Sequence, residues 1–300
     1  MRVVVLNYNR PQLTIRCARS LLQQAGVRVD LVVVDNWSND AQLRDLRAGL
    51  PAGVTLMENP LNLGYSAGNN TGLRAKPSSA EFALVVNNDT ILGNPRTLEQ
   101  LVSALKGGDR YAACSPLVRD VGCGVAPERS IQVRRIPGFW ELLVVSSSVL
   151  RRLPGLSRVY QRQVYADKRP FPLDSVVECE TINGCCFLIR TDVLEAIGYL
   201  DEGTFLYCEE LILGLQLRAR GLGCALVTHS CVDHEQGASA GRNAAGATMR
   251  GMRRRIKSEV YFARKYLHSG VLAALLIRTV GVTDVLLKAV FSVFRNQSET

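Results

Sequence analysis

Three short runs of aliphatic residues, each stopped by asparagine or aspartate, limit most strongly what this chain can fold into. Val3-Val4-Val5-Leu6 ends at Asn7-Tyr8-Asn9-Arg10-Pro11, and Leu31-Val32-Val33-Val34 ends at Asp35-Asn36-Trp37-Ser38-Asn39-Asp40. The third run, Phe82-Ala83-Leu84-Val85-Val86, ends at Asn87-Asn88-Asp89. An unbroken apolar run marks a strand covered on both faces, because a half-exposed strand would alternate. Helical patterns fill the intervals. Leu13, Cys17 and Leu21 recur every four residues within Gln12 to Gln24, and Ala41 to Leu50 stops at Pro51. Tyr65 to Ala75 follows a short strand at Val54 to Met57. This alternation predicts an α/β domain with a mostly parallel central sheet flanked by helices. The regular pattern fades after about residue 120.

Every polar stop lies after its strand. In a parallel sheet that places them along one edge, where ligands collect. A carboxylate with amides beside it, as at Asn88 and Asp89, suits a divalent cation carrying phosphate oxygens. The same residues also make an ordinary strand-ending turn. Asn62-Leu63-Gly64-Tyr65-Ser66-Ala67-Gly68-Asn69-Asn70-Thr71-Gly72 leads into a helix and offers N–H groups to a phosphate or sugar hydroxyl. It is not a G-x-x-x-x-G-K-[ST] phosphate loop.

The formal charge of +9 is unevenly spread. Residues 134–170 carry net +6, residues 171–238 net −8, and residues 239–300 net +8. Basic segments attract nucleic acid, anionic lipid or phosphorylated substrates. No zinc-finger spacing, RNP-like motif or bZIP heptad accompanies them, so no nucleic-acid partner is expected. The nine cysteines form no C-x-x-C pair and suit buried thiols in a reducing compartment. No signal peptide and no apolar run of 18 residues is apparent, which predicts a cytoplasmic protein.

Taken in order, these motifs resemble the family 2 glycosyltransferases, and most closely the bacterial rhamnosyltransferase-like branch. Those that carry the resemblance are Asn-Tyr-Asn-Arg, Val-Val-Asp-Asn-x-Ser-x-Asp, the Asn/Gly run and Asn-Asn-Asp. The second half adds Asn183-Gly184-Cys185-Cys186-Phe187-Leu188-Ile189-Arg190, Gly198-Tyr199-Leu200-Asp201-Glu202, Phe205-Leu206-Tyr207-Cys208-Glu209-Glu210 and His234-Glu235-Gln236-Gly237-Ala238-Ser239. The resemblance covers residues 2–240. It implies a GT-A fold: a Rossmann-like sheet with a nucleotide-sugar-binding half at 1–120 and an acceptor half at 121–240. The acceptor half holds a basic, apolar helical insert at 134–170, and a basic helical extension follows at 241–300. The implied activity is inverting transfer from a nucleoside-diphosphate sugar, dTDP-rhamnose or a UDP-hexose, within polysaccharide biosynthesis. By position in the family pattern, Leu6, Asn7 and Asn9 line the nucleoside pocket and Asp35 holds the base. Asn62, Gly64, Gly68, Asn70 and Asn88 complete the donor site. Asp89 and His234 are the expected ligands of Mg²⁺ or Mn²⁺.

An inverting displacement needs one base within reach of the acceptor hydroxyl, whereas a glycosidase needs two flanking carboxylates. The family pattern places the base on Glu210. Glu209 stays open, because neighbouring side chains on a helix diverge by about 100°. Both acids also suit a helix's first turn. Relatives commonly carry another aspartate two residues later, where this chain has Ile212. His234 also reads as a plain loop histidine and His229 as a structural one, while Asp201 and Glu202 read as positioning residues. Trp37 is a candidate for stacking on the base, and Arg242 for closing on the diphosphate.

The basic apolar stretches 134–156 and 250–291 read as helices lying on an anionic membrane surface. That would suit an acceptor on a polyprenyl diphosphate and a peripheral place at the inner face of the plasma membrane. Packing on the catalytic domain or a homo-oligomer contact are the other uses of such helices. Two rival classes are an inactive sugar-nucleotide-binding or assembly protein, and a nucleotidyltransferase. The latter would carry a Gly-rich, Arg/Lys-containing loop where this chain has Asn7-Tyr8-Asn9-Arg10-Pro11.

Overall fold

The structure is a computed structural model and describes residues 1–75, 79–235 and 245–297. The apolar runs and the short strand among them become β1 (Arg2–Asn7), β2 (Asp30–Asp35), β3 (Thr55–Glu58) and β4 (Phe82–Asn87). They are joined through α1 (Pro11–Leu22), α2 (Asp40–Gly49) and α3 (Tyr65–Leu73). The strands pair in parallel in the order β3-β2-β1-β4. Both faces are covered, as the unbroken runs require. Val3, Val5, Val33 and Leu84 enter one cluster with Cys17 and Leu21 of α1. Val4, Val32, Val34 and Val85 enter the opposite one with Leu73 of α3. Each such side chain contributes about 1.5–3 kcal/mol on burial.

The later elements are β5 (Thr90–Ile91), α4 (Thr97–Lys106), β6 (Tyr111–Asp120), α5 (Phe139–Ser146), α6 (Leu156–Gln163), β7 (Val176–Cys179), β8 (Cys186–Arg190), α7 (Thr191–Ala196), α8 (Glu209–Arg218) and β9 (Gly223–His234). The simple alternation fades because the sheet changes character here. β8 runs antiparallel to both β4 and β6, while β9 runs parallel to β6. The result is one mixed sheet in the order β3-β2-β1-β4-β8-β6-β9-β5, with β7 paired to β9.

Two long helices follow, α9 (Ala245–Tyr266) and α10 (Val271–Gln297). They build a third apolar cluster: Ile256 and Phe262 of α9, Ala274 and Ile277 of α10, Leu142 of α5, and Ile212 of α8. Ile212 is 1% exposed. Its departure from the family pattern is therefore a packing choice, since a carboxylate there would be buried among aliphatic groups. Asp201 accepts hydrogen bonds from Tyr261, Lys265 and Tyr266 of α9, which ties the preceding loop to this helix. The opposite face of α10 is uncovered, with Leu272, Leu275 and Leu286 exposed. Among the described residues no helix is long and apolar enough to cross a membrane. Seven of the cysteines are buried and all nine are free thiols. Burial pushes Cys186 up to about 12.

Candidate active site

Sheet register assembles one corner of the site. β5 pairs antiparallel with the end of β9, setting Thr90 opposite His234. β6 pairs in parallel with β9, setting Asp120 opposite the same histidine. His234 Nε2 lies 3.2 Å from Asp89 Oδ1, and Nδ1 lies 3.3 Å from Asp120 Oδ1. Burial pulls the imidazole pKa down, but the two carboxylates outweigh it and the net shift is upward. Asp89 and His234, far apart in sequence, are thus neighbours. Asp120 belongs to no motif, and only the β6–β9 pairing discloses it.

Among the described residues no three His, Cys, Asp or Glu side chains converge on one metal position. Two donors do converge, one carboxylate oxygen and one imidazole nitrogen. Mg²⁺ commonly takes one or two carboxylates and fills its shell with substrate phosphates and water, and imidazole suits the first-row transition ions. The residues present therefore fit a cation that arrives with a diphosphate.

The strand-end residues form a dense amide network. Asn7 Nδ2 donates to Asp35 Oδ1 at 2.7 Å and to Ser38 Oγ at 3.1 Å, and Asn7 Oδ1 accepts from Thr14 at 2.6 Å. Asp35 also accepts from the Ser38 amide and hydroxyl at 2.9 and 2.6 Å. The Asn9 carbonyl oxygen of its side chain accepts from the Asn39 amide at 2.9 Å. Asn88 donates to Thr14 at 3.0 Å, linking the first and fourth strand ends. Asp35 is only 1% exposed, so its carboxylate shapes this loop from within. Trp37 and Tyr8 stand exposed beside it.

The Asn/Gly run has a different logic from the one expected of a phosphate cradle. Gly64 (φ +84°) abuts the Phe205 backbone, where a Cβ would collide. The Gly64 and Tyr65 amides are engaged by Asn62 Oδ1 at 3.0 Å and Phe205 O at 2.8 Å. A Cβ on Gly68 would sit 2.7 Å from a Leu6 methyl. Asn70 is fully buried and donates to Leu200 O at 2.8 Å and Glu202 Oε1 at 2.7 Å. These residues lock α3 onto the sheet and onto the segment between α7 and α8. Their N–H groups do not point bare at the edge.

The carboxylates occupy the first turn of α8. The turn before it is strained: Tyr207 and Cys208 both adopt left-handed φ values of 79° and 72°, which a non-glycine residue holds only against a local energy cost. Burial, then the charge of Glu210, pushes Glu209 up to about 8. Burial also raises Glu210, partly opposed by the Arg134 guanidinium and nearby backbone N–H groups. Glu210 lies directly against Gly184, leaving no space for a Cβ there. The Gly184 carbonyl in turn accepts from Tyr65 OH. A cavity of about 630 Å³ joins both glutamates to Asn87, Asn183, Tyr65 and His234. Gly184→Ala is expected to displace the Glu210 carboxylate and slow transfer by about 10- to 100-fold. Donor affinity, read by calorimetry, should stay within twofold, and an equal loss of donor affinity would contradict this placement.

Gln236 to Arg242 lie outside the described residues, so the end of the histidine motif and the Arg242 reading are not placed. His229 sits inside β9, and Glu202 is held by Asn70 and Arg74, both structural uses.

A mixed α/β sheet with polar strand ends thus carries a carboxylate–histidine corner and two half-buried acids that line one cavity. Residues 1–258 match the family described as "Glycosyltransferase like family 2". The chain belongs to that family and is a glycosyltransferase of the GT-A fold. It is 26% identical over 228 residues to the N-acetylglucosaminyl-diphospho-decaprenol L-rhamnosyltransferase of Mycobacterium tuberculosis, covering 72% of this chain and 70% of that protein. It is also 26% identical over 213 residues to the low-salt glycan biosynthesis hexosyltransferase Agl10 of Haloferax volcanii, covering 70% of this chain and 59% of the relative. Among solved structures it resembles the mannosyltransferase PcManGT of Pyrobaculum calidifontis in complex with GDP-Man and Mn²⁺. That match has a TM-score of 0.56 at 15% identity and covers 98% of this chain and 79% of the other. S. aureus TarS 1-349 in complex with UDP-GlcNAc matches with a TM-score of 0.51 at 15% identity, over 89% and 68%.

Proposed function

We propose that this protein is an inverting, metal-dependent glycosyltransferase that moves a sugar from a nucleoside-diphosphate donor to a hydroxyl of a lipid-linked glycan. The observation that carries the reading is a cavity joining the Asp89–His234 corner, by way of His234, to the half-buried acids of α8. The nucleoside lies at the strand ends, in a loop shaped by Asn7, Asn9 and Asp35, with Leu6 and Asn88 bordering it. Asp89 and His234 hold Mg²⁺ or Mn²⁺, which when bound offsets charge on the diphosphate leaving group. Glu210 takes the proton of the attacking hydroxyl. Its raised pKa suits that role, because a base works best when its pKa lies near the working pH. The charge of Glu210 in turn helps hold its neighbour Glu209 protonated. One base and one displacement invert the anomeric centre.

The M. tuberculosis relative acts, by its name, on an N-acetylglucosaminyl-diphospho-decaprenol. That supports a polyprenyl-diphosphate acceptor here, and a dTDP-rhamnose or UDP-hexose donor. The test is transfer of sugar from a panel of labelled sugar nucleotides to a synthetic N-acetylglucosaminyl-diphospho-lipid with Mn²⁺ present. Labelled lipid product of inverted configuration is expected. Donor breakdown without labelled lipid, or no turnover of any donor, would overturn the assignment.

The same acceptor would bring the enzyme to a membrane surface. The uncovered α10 face, with Leu272, Leu275 and Leu286, and exposed Trp140 of α5, a helix packed on α10, supply apolar contact. Arg253, Arg254 and Lys257 supply positive charge. Replacing Leu272 and Leu275 by serine should cut co-sedimentation with anionic vesicles by about tenfold. Unchanged sedimentation would remove this face from the account.

A further inference from the structure

The cavity extends well beyond the glutamates, toward the 134–170 insert. Leu142, Val145 and Tyr160 line it there, together with Arg134, Arg151 and, from α9, Arg255. The three arginines differ in their partners. Arg255 donates to Ser146 O at 2.7 Å and lies 3.7 Å from Glu259 and 3.9 Å from Asp284, so its charge is balanced. Arg134 contacts only the neutral Gln163 side chain, at 3.3 Å, while its charge reaches Glu210. Arg151 is stacked 5.2 Å over the Tyr160 ring. Among the described residues no carboxylate comes within ion-pair distance of Arg134 or Arg151. Glu259 also faces this end, but Ser146 and Arg255 bind it and burial raises its pKa.

Two arginines without an ion-pair partner among the described residues, lining one cavity with Leu142 and Val145, match an amphiphilic anion. Arginine's planar donors suit phosphate oxygens. We infer that Arg134 and Arg151 form an anion subsite for the acceptor's diphosphate, with the start of its lipid lying against Leu142 and Val145. This deepens the acceptor assignment made above and rests on it for the ligand class. The subsite is separate from the donor's metal corner. It would hold the acceptor by its phosphates and so direct a sugar hydroxyl toward Glu210.

The test is calorimetric binding to the full chain in EDTA, so that no metal supports a diphosphate at Asp89. Farnesyl diphosphate and inorganic pyrophosphate are the two probes. Farnesyl diphosphate should bind the wild type, and Arg134→Gln and Arg151→Gln should each weaken it about tenfold or more. Asp89→Asn should leave it unchanged. Pyrophosphate should bind several-fold more weakly, because it lacks the lipid contact. Equal affinity for both probes would overturn the lipid assignment. Unchanged affinity in both arginine variants, or loss in Asp89→Asn, would overturn the subsite. Thermal midpoints of the variants should match the wild type, and conservative Arg151→Lys should restore part of the affinity, which a misfolded variant would not show. Binding in EDTA is independent of turnover, so a chain that binds farnesyl diphosphate through these arginines yet transfers no sugar would fail the transferase reading alone.

Discussion

Asp89→Ala is expected to abolish the metal-dependent part of donor binding. The carboxylate lies at the end of β4, 5% exposed, and meets His234 Nε2 at 3.2 Å. Among the described residues only these two side chains are placed to share a cation, so removing one leaves a single nitrogen donor. Loss of even a group that supports a ligand costs about 10- to 100-fold in metal affinity, and loss of a ligand should cost at least that. Calorimetry with a nucleoside diphosphate should then show the same weak affinity with and without Mn²⁺. A variant that retains a Mn²⁺-dependent gain in affinity would show that the metal is held elsewhere. His234→Ala should give the same pattern, somewhat weaker, because the carboxylate carries the charge.

Glu210→Gln should leave donor affinity near wild type and slow transfer by about 10²- to 10⁴-fold, the usual contribution of a positioned base. Glutamine keeps the shape against Gly184 but accepts no proton. The pH profile follows from the upward shift of both acids. The base works only when deprotonated, so wild-type transfer should rise with pH through the neutral range. It should level off once Glu210, raised by burial, has given up its proton. Stability should move the other way. Between the ordinary carboxylate range and pH 8 the folded chain holds a proton that the unfolded chain has released, so stability falls as pH rises. Glu209→Gln should flatten that fall. A transfer rate for Glu210→Gln near that of the wild type would move the base to Glu209 or off α8 altogether.

Much of the parallel part of the sheet was legible because its signals are local. An unbroken Val/Leu run with an Asn or Asp at its end reports a buried parallel strand and its carboxyl edge within ten residues. Asn7, Asp35 and Asp89 fall there by that rule alone. What sequence reading misjudged was the use of the glycines. Gly64 and Gly68 suggested a cradle of free N–H groups, yet their small size serves contact with Phe205 and Leu6, partners distant in sequence. Asn70 likewise is consumed by Leu200 and Glu202. Asp120 was invisible because its meeting with His234 depends on strand register across more than a hundred residues. Ile212 looked like a missing acid until α5, α9 and α10 were seen to cover it. Arg134 and Arg151 read only as a basic stretch, since a charge count cannot tell which arginines line a cavity.

The measurement that bears most directly on the transferase assignment is a thermal-shift panel of nucleoside diphosphates and sugar nucleotides, each with and without Mn²⁺. A ligand bound only by the folded state at 100 times its Kd stabilises by about 2.7 kcal/mol, or roughly 4 °C for a chain of 300 residues. The expected result is a rise of that order with dTDP- or UDP-linked compounds, present with Mn²⁺, lost in EDTA and absent in Asp89→Ala. The same midpoint for every nucleotide, with or without metal, would contradict a metal-dependent donor site at the strand ends.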